Sequence, residues 1–555
     1  MEVVELNMEV ISKTPPLGLW QLPRREVLMT YTGVLLAMFL ASLDQTIVGT
    51  AMPRIITDLA GFSHYTWVTS AYVMASAVVI PITGRLTDMY GRKPFYLVGL
   101  AIFILSSFVC GFSRTMTQLI ILRGIQGVGA GIIMSNSFTV IGDLFSPAER
   151  GKYQGITSGV FGLSSIIGPT LGGFITDTWS WHWVFFINIP LGITIILLFS
   201  FFFPNIRPAH GKHHLDYLGL ITLILTIVPA MLALTWSGVK YPWLSVRIIG
   251  MCIFALCMLA VFIVVEKRSK EPIIPLDLFR NQIVIISDVI LFLTGFGMFG
   301  GIIFIPLFFQ GVLGTSATVS GNFLTPMMLG MIVGSFASGQ LLSRVGGHYR
   351  FQGAIGIAIM SLGMLLLTQM TAQTGYSTAV INLIVTGLGL GITMPLYTIA
   401  VQNAVPYSYL GVATSSTAFF RSIGGSVGLA VLGSVMNHRF TSELMDGLPM
   451  EIKSVMPAKQ LAALANNPQV LIGAGALDQL SEVLKGLEPQ GVELLEQLLL
   501  LLKQSLASAI SQVFLVGLCF LLIALVISFF IREIPLRKQH VVSDSLPNIK
   551  SMEKS

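Results

Sequence analysis

The chain has 555 residues, 54% of them hydrophobic and only 10% charged, with a formal net charge of +6. Its mean hydropathy of +0.81 is far from that of a soluble domain, in which about a quarter of residues are charged, so the composition places it in a membrane. The basic residues are scattered through short loops rather than gathered on one soluble face, which argues against nucleic acid as a partner.

Taken in chain order, residues 1–26 carry acidic residues and prolines and run straight into the first apolar segment, so they are read as a tail and not as a signal peptide. Apolar runs then recur near 27–50, 66–84, 95–112, 117–138, 154–176, 183–203, 216–236, 246–265, 283–305, 318–341, 352–370, 377–400, 411–436 and 509–531. Each is long enough to cross a hydrocarbon core about 30 Å thick. They are too long and unbroken for barrel strands, and the backbone must satisfy itself in lipid, so the fold class is all-α with fourteen transmembrane helices. With the N-terminus inside, one side collects Arg24, Arg25, Arg85, Arg92, Lys93, Arg150, Lys152, Arg207, Lys212, Lys267, Arg268, Lys270, Arg280, Arg344, Arg350, Arg532, Arg537 and Lys538, while short loops on the other hold Arg54, Arg114, Lys240 and Arg247. The positive-inside rule therefore puts both termini in the cytoplasm. Cys110, Cys252, Cys257 and Cys519 lie inside spans without metal-ligand spacing, which argues against disulfides and a zinc site.

Three internal echoes follow. Gly84-Arg85-Leu86-Thr87-Asp88-Met89-Tyr90-Gly91 returns from Gly339 to Gly346, Gly127 to Gly131 returns from Gly387 to Gly391, and Ser165 to Gly172 returns from Arg421 to Gly428. Their common order and nearly common offset imply two parallel six-helix halves rocking about a central site. The expected division is a tail (1–26), an N-terminal bundle (27–203), a linker with two additional helices (204–280), a C-terminal bundle (281–531) with an extracytoplasmic insertion (437–508), and a tail (532–555). Leucines spaced through 477–487 and 492–502 fit amphipathic helices in that insertion, either a lid over the outer mouth or a passive addition.

Several of these motifs resemble those of the fourteen-helix drug:proton antiporter branch of the major facilitator superfamily. The likeness covers residues 27 to 436 and the last span. Leu43-Asp44-Gln45-Thr46-Ile47-Val48 through Pro53 is similar to that family's first-helix motif, although Gly49 stands where Asn is common. Gly84 to Lys93 resembles its loop motif, Arg123 to Gly131 its fourth-helix motif, Gly168-Pro169-Thr170-Leu171-Gly172-Gly173 its antiporter motif, and Trp181 to Pro190 the entry to its sixth helix. The resemblance implies two six-helix bundles plus two inserted helices, proton antiport and multidrug efflux by alternating access.

Asp44 and Arg123 stand inside apolar spans, where a charge costs about 2.5–3.5 kcal/mol on insertion scales. Burial favours a neutral acid and a nearby cation favours the carboxylate, so Asp44 can exchange a proton for cargo with Arg123 tuning it, or the two can form a purely structural pair. Gly84 and Gly91 permit a tight turn, and Asp88, Arg92 and Lys93 supply charges that pair across the gap between halves or with helix ends, or form a solvated basic loop. In the second copy Ser343 replaces Asp88. Gly168, Gly172 and Gly173 allow close helix approach and Pro169 a bend, which serves either an export-biased hinge or ordinary packing. Asp288 either attracts cations and protons or snorkels to the surface, and Arg421 matches a position that is often basic in the resembling family. Tyr72, Asn136, Tyr397 and Gln402, with Met74, Met328 and Met394, are read as cavity or packing residues.

His210, His213 and His214 share one loop, better read as solvated than as metal-binding, and no phosphate-cradling glycine loop points to ATP. The chain is thus read as a cell-membrane exporter of hydrophobic or cationic small molecules. It is expected in a bacterial inner membrane as a monomer, with protons and membrane lipid as partners and neither cofactor nor enzymatic activity. An exporter or flippase of lipids and a non-transporting sensor are the alternatives.

Overall fold

The computed structural model describes residues 22–59, 65–205, 215–238, 240–315, 324–345, 348–449 and 491–537, with Leu19 and Ile452. Among these, fourteen helices are long and apolar enough to span a bilayer. The first six are α1 (Arg24–Asp58), α2 (Tyr65–Tyr90), α3 (Arg92–Cys110), α4 (Met116–Leu144), α5 (Pro147–Thr178) and α6 (Trp183–Phe202). An inserted pair follows, α7 (Tyr217–Trp236) and α8 (Val246–Arg268). The last six are α9 (Gln282–Gly311), α10 (Leu324–Val345), α11 (Tyr349–Thr368), α12 (Tyr376–Ala404), α13 (Leu410–Gly447) and α14 (Gly491–Ser528).

Local chemistry sets several helix starts. Thr115, Asp216, Ser245 and Asn281 accept hydrogen bonds from the first-turn amides of α4, α7, α8 and α9, satisfying donors that a helix start leaves open. Gly91 alone joins α2 to α3 at φ 93°, a left-handed conformation that side chains resist.

Lipid offers no hydrophobic drive between helices, so close backbone approach through small residues holds the bundle together. Each of the three sequence echoes falls at an equivalent contact in the two halves. Gly127 and Gly131 of α4 lie against the Tyr72 and Ser76 carbonyls of α2, just as Gly387 and Gly391 of α12 lie against the Met327 and Met331 carbonyls of α10. Gly168 and Gly172 of α5 seat on Thr46, Ile47 and Thr50 of α1, while Gly424 and Gly428 of α13 seat on the Phe292 and Phe296 carbonyls of α9. Gly84 of α2 meets Gly411 of α13 across the molecule, and Gly339 of α10 meets Gly151 of α5. Two six-helix bundles therefore face each other through α2 with α13 and α5 with α10. The inserted helices lie outside this frame, where Leu223, Ile227, Met231 and Phe262 pack on Ala77, Val78 and Ile82 of α2.

The expected spans ended at 436 and began again at 509, but α13 and α14 run further, to Gly447 and from Gly491. Each has 38 residues, about 57 Å at 1.5 Å per residue, well beyond a 30 Å core. The extensions persist because they bury each other: Phe440, Leu444 and Leu448 join Leu498, Leu502 and Leu506 in one core, and Ser508 donates to Glu443 at 2.6 Å. The leucine run 477–487 and the histidines at 210, 213 and 214 lie outside the described residues.

Candidate functional site

Asp44 sits on the α1 face that points into its own bundle and is fully buried. Arg123 Nη1 donates to its Oδ2 at 2.5 Å, and Gln126 Nε2 and Asn188 Nδ2 each donate to Oδ1 at 2.9 Å. Arg123 also bonds Gln126 Oε1 at 2.9 Å and stacks its guanidinium 4.2 Å from the Tyr72 ring centroid, while Asn188 holds Ser107 at 3.0 Å. Side chains of α1, α4 and α6 thus meet at one carboxylate, α3 supports Asn188 through Ser107, and α2 adds Tyr72. Gln126 and Asn188 lie inside the Arg123 to Gly131 and Trp181 to Pro190 motifs, but neutral amides carry no charge signal in a sequence. The cluster borders the α1–α5 seam, where the Thr46 hydroxyl donates to the Ser164 carbonyl at 3.1 Å and Gly168 packs against Thr46. Gly173 has no atom within 4 Å of where its β-carbon would lie, so it faces open space instead of a helix. Pro169 stands inside α5, which continues through it.

A second assembly closes the bundle at the face where both helical ends emerge. Asp88 accepts the amides of Gly411 and Val412 at 2.9 Å each. The start of α13 has no side-chain cap of its own, so an acid from the opposite half serves as one. Arg92 holds Asp88 at 2.7 Å, Asp143 at 2.8 Å and Thr87 at 2.7 Å, and the Asn136 amide donates to the Arg92 carbonyl at 2.9 Å. Lys93 does not enter this clasp; it donates to the Ser200 carbonyl near the end of α6 at 2.9 Å. Gln402 of α12 donates across the gap to the Phe138 carbonyl of α4 at 3.3 Å and to Thr414 at 3.0 Å. At this face the halves touch closely enough that a β-carbon on Gly84, Gly151, Gly339 or Gly411 would overlap backbone opposite. On α1, Gln45, Gly49 and Thr50 are exposed beyond Asp44, and Gly49 has open space around it. The two halves are therefore clasped at one end and parted toward the other.

Asp288 of α9 is only 2% exposed, which places it inside the bundle rather than at the surface, and it accepts the Ser416 hydroxyl of α13 at 2.6 Å. Ser416 lies one turn beyond the clasp, so the first turns of α13 are gripped by Asp88 from one half and Asp288 from the other. Arg421 is half-buried on α13 and reaches across the gap to lie 5.7 Å from the Phe138 ring centroid. The remaining cavity candidates are placed elsewhere: Tyr72 under Arg123, Asn136 and Gln402 in the clasp, and Tyr397 fully buried against Gly353 of α11. No group of three or more His, Cys, Asp or Glu among the described residues is set to hold a metal ion.

The geometry of two repeated bundles about a gap, with charges embedded on one side and a clasp at one end, agrees with the comparisons. The Major Facilitator Superfamily model matches residues 34–215 and 217–429. The chain belongs to the major facilitator superfamily. The Multidrug transporter protein MdtP of Bacillus subtilis (strain 168) is 40% identical over 514 residues, 91% of this chain and 93% of that protein. Multidrug resistance protein 3 of the same organism is 38% identical over 456 residues, 81% of this chain and 87% of that protein. The solved structure of the human organic anion transporter MFSD10 (TETRAN) shares the fold with a TM-score of 0.56 at 16% identity, covering 90% of this chain and all of that one. This facilitator is thus a multi-pass membrane transporter of small molecules with efflux-pump relatives, and not an enzyme.

Proposed function

We propose that the protein is a proton-coupled antiporter that exports hydrophobic small molecules, cationic ones included, across a bacterial cytoplasmic membrane by alternating access. The observation that carries this reading is the fully buried Asp44 carboxylate shared by Arg123, Gln126 and Asn188 beside the α1–α5 seam. A proton arriving on Asp44 removes the charge that balances Arg123. A buried charge stripped of its partner costs about 3–5 kcal/mol, so the protonated site is relieved only if α1, α4 and α5 shift until water reaches Arg123, an arrangement that gives up the one holding cargo. Proton and cargo then compete through one rearrangement, which is the requirement for exchange. The names of the two Bacillus relatives support multidrug cargo.

The loop charges put the clasped face, with both termini, in the cytoplasm, so the described state is open to the outside. Asp88 holds that state by capping α13, and the α5–α10 and α2–α13 contacts are the surfaces on which the halves rock. Purified protein in liposomes tests the proposal: an imposed pH gradient should drive ethidium uphill, and cargo should drive proton flux. Uphill movement that persists with pH and voltage differences abolished would reject it.

A further inference from the structure

Charges at membrane depth in this molecule are almost all spent within the protein. Asp44 is paired with Arg123, and Arg92 with Asp88 and Asp143. Arg150 donates to the carbonyls of Phe145 and Gly142, Glu266 accepts the amides of Ile273 and Ile274, and Asp288 is buried under Ser416. Two arginines of the spans depart from this among the described residues: Arg85 of α2, which has no hydrogen bond but lies near Glu266 of α8, and Arg421. Arg421 makes no hydrogen bond or ion pair with any other described residue, it is half-buried, and its guanidinium projects from one half over Phe138 of the other. It stands ten residues along α13 from the clasp at Gly411, about 15 Å above it. That position is the floor of the gap that opens outward. One turn further on, Gly425 packs against the Phe299 ring, and Phe292, Phe299 and Phe420 are all partly accessible beside it.

We propose that Arg421 is an anion site in the central gap, so that the cargo includes amphiphiles with an apolar, often aromatic, body and one anionic group. This rests on the exporter reading above. A guanidinium binds a carboxylate or sulfonate through paired charge-assisted hydrogen bonds, and the surrounding rings take the apolar body. Binding neutralises the free cation, which lowers the cost of drying the gap as the halves close. Exchange of a monoanion leaving for a proton entering also moves charge twice in the same electrical direction, whereas a monocation leaving for a proton is electrically silent.

The test uses the full chain in liposomes with an imposed pH gradient and two permanently charged probes, 8-anilinonaphthalene-1-sulfonate and ethidium. The wild type should move both, and a membrane potential, negative on the side that cargo leaves, should accelerate the sulfonate more than ethidium. Arg421→Gln should slow the sulfonate about tenfold or more while sparing ethidium, and Arg421→Lys should keep most of the sulfonate rate. Several results would overturn the anion site: a wild type that moves ethidium but not the sulfonate, a sulfonate rate unaffected by Arg421→Gln, or loss of both probes in Arg421→Gln and Arg421→Lys alike. A membrane potential that accelerates both probes equally in the wild type would also overturn the exchange of an anionic cargo for a proton, and that reading needs no variant. A wild type that moves neither probe rejects the exporter reading itself, and the anion site with it.

Discussion

Asp44 and Arg123 can be both a structural pair and a proton switch, and a double-mutant cycle separates the two roles. Asp44→Asn leaves Arg123 buried without a counter-charge and should cost about 3–5 kcal/mol of stability. Adding Arg123→Gln removes the orphaned cation, so the double variant should recover much of that loss in thermal unfolding. If Asp44 carries the proton, the double variant still fails to couple a pH gradient to uphill ethidium movement. Recovery of coupling together with stability would leave Asp44 with packing alone. Asp288 calls for a different measurement, because among the described residues a single hydroxyl holds it and its Oδ1 has no hydrogen-bond partner. Asp288→Asn keeps the shape and removes the ionisable group. It should leave stability within about 1 kcal/mol while flattening the pH dependence of transport, and an unchanged pH profile would confine Asp288 to holding Ser416.

At the scale of helices, removing a bond from the clasp and adding bulk to it should have the same result, a face that no longer stays shut. Asp88→Ala removes two charge-assisted bonds to the start of α13, each worth about 1.5–3 kcal/mol to the clasped state, so the loss of even one shifts the equilibrium between conformations roughly 10- to 150-fold. A cysteine at Ser415 in a cysteine-free background should then react faster with a thiol reagent applied from the cytoplasmic side. If its rate is unchanged, Asp88 is not what keeps that face shut. Gly84→Val places bulk against Gly411 and Ser415, so it should block closure of the same face by steric overlap instead of lost bonding. Gly168→Val acts at the other seam, pressing on Thr46 two residues from Asp44. It should impair coupled transport more than expression, whereas Gly173→Val, set in open space, should change little. Equal loss in both would remove the special place of the α1–α5 contact.

At the scale of the whole molecule, alternating access requires the two faces to open in opposition. Thr50 is exposed in the described state while Ser415 is buried in the clasp. Single cysteines at the two sites should therefore respond in opposite directions when a pH gradient or ethidium shifts the population, the first slowing as the second quickens. Parallel changes at both positions would speak against rocking halves. The pseudo-symmetry that makes such rocking natural is incomplete in its chemistry. Asp88 has Ser343 as its counterpart, and the start of α5, which that serine would face, carries its own bond from Ser146 to Glu149 at 3.0 Å. One half thus contributes the charged cap and the other an apolar crossing of Gly339 on Gly151.

Much of this architecture was legible in the amino-acid sequence. Span number follows from apolar length because a bilayer leaves the backbone no other way to satisfy its hydrogen bonds, and the paired halves follow from glycines whose recurrence reflects one helix crossing used twice. Asp44 and Arg123 also announced themselves, because a charge in an apolar span is conspicuous without any coordinates, and Asp88 and Arg92 did so through the Gly84 to Lys93 loop motif. Partners were not legible. Gln126, Asn188 and Ser416 are unremarkable in composition, and the Gly411 and Val412 amides have no side-chain signature at all. Only three-dimensional packing could decide that Asn136 and Gln402 belong to the clasp, that Tyr397 is sealed inside a bundle, that α13 and α14 outrun the membrane, and that Arg421 reaches Phe138 of the other half without an ion pair among the described residues, since a side chain's surroundings depend on helix rotation and on residues hundreds of positions away.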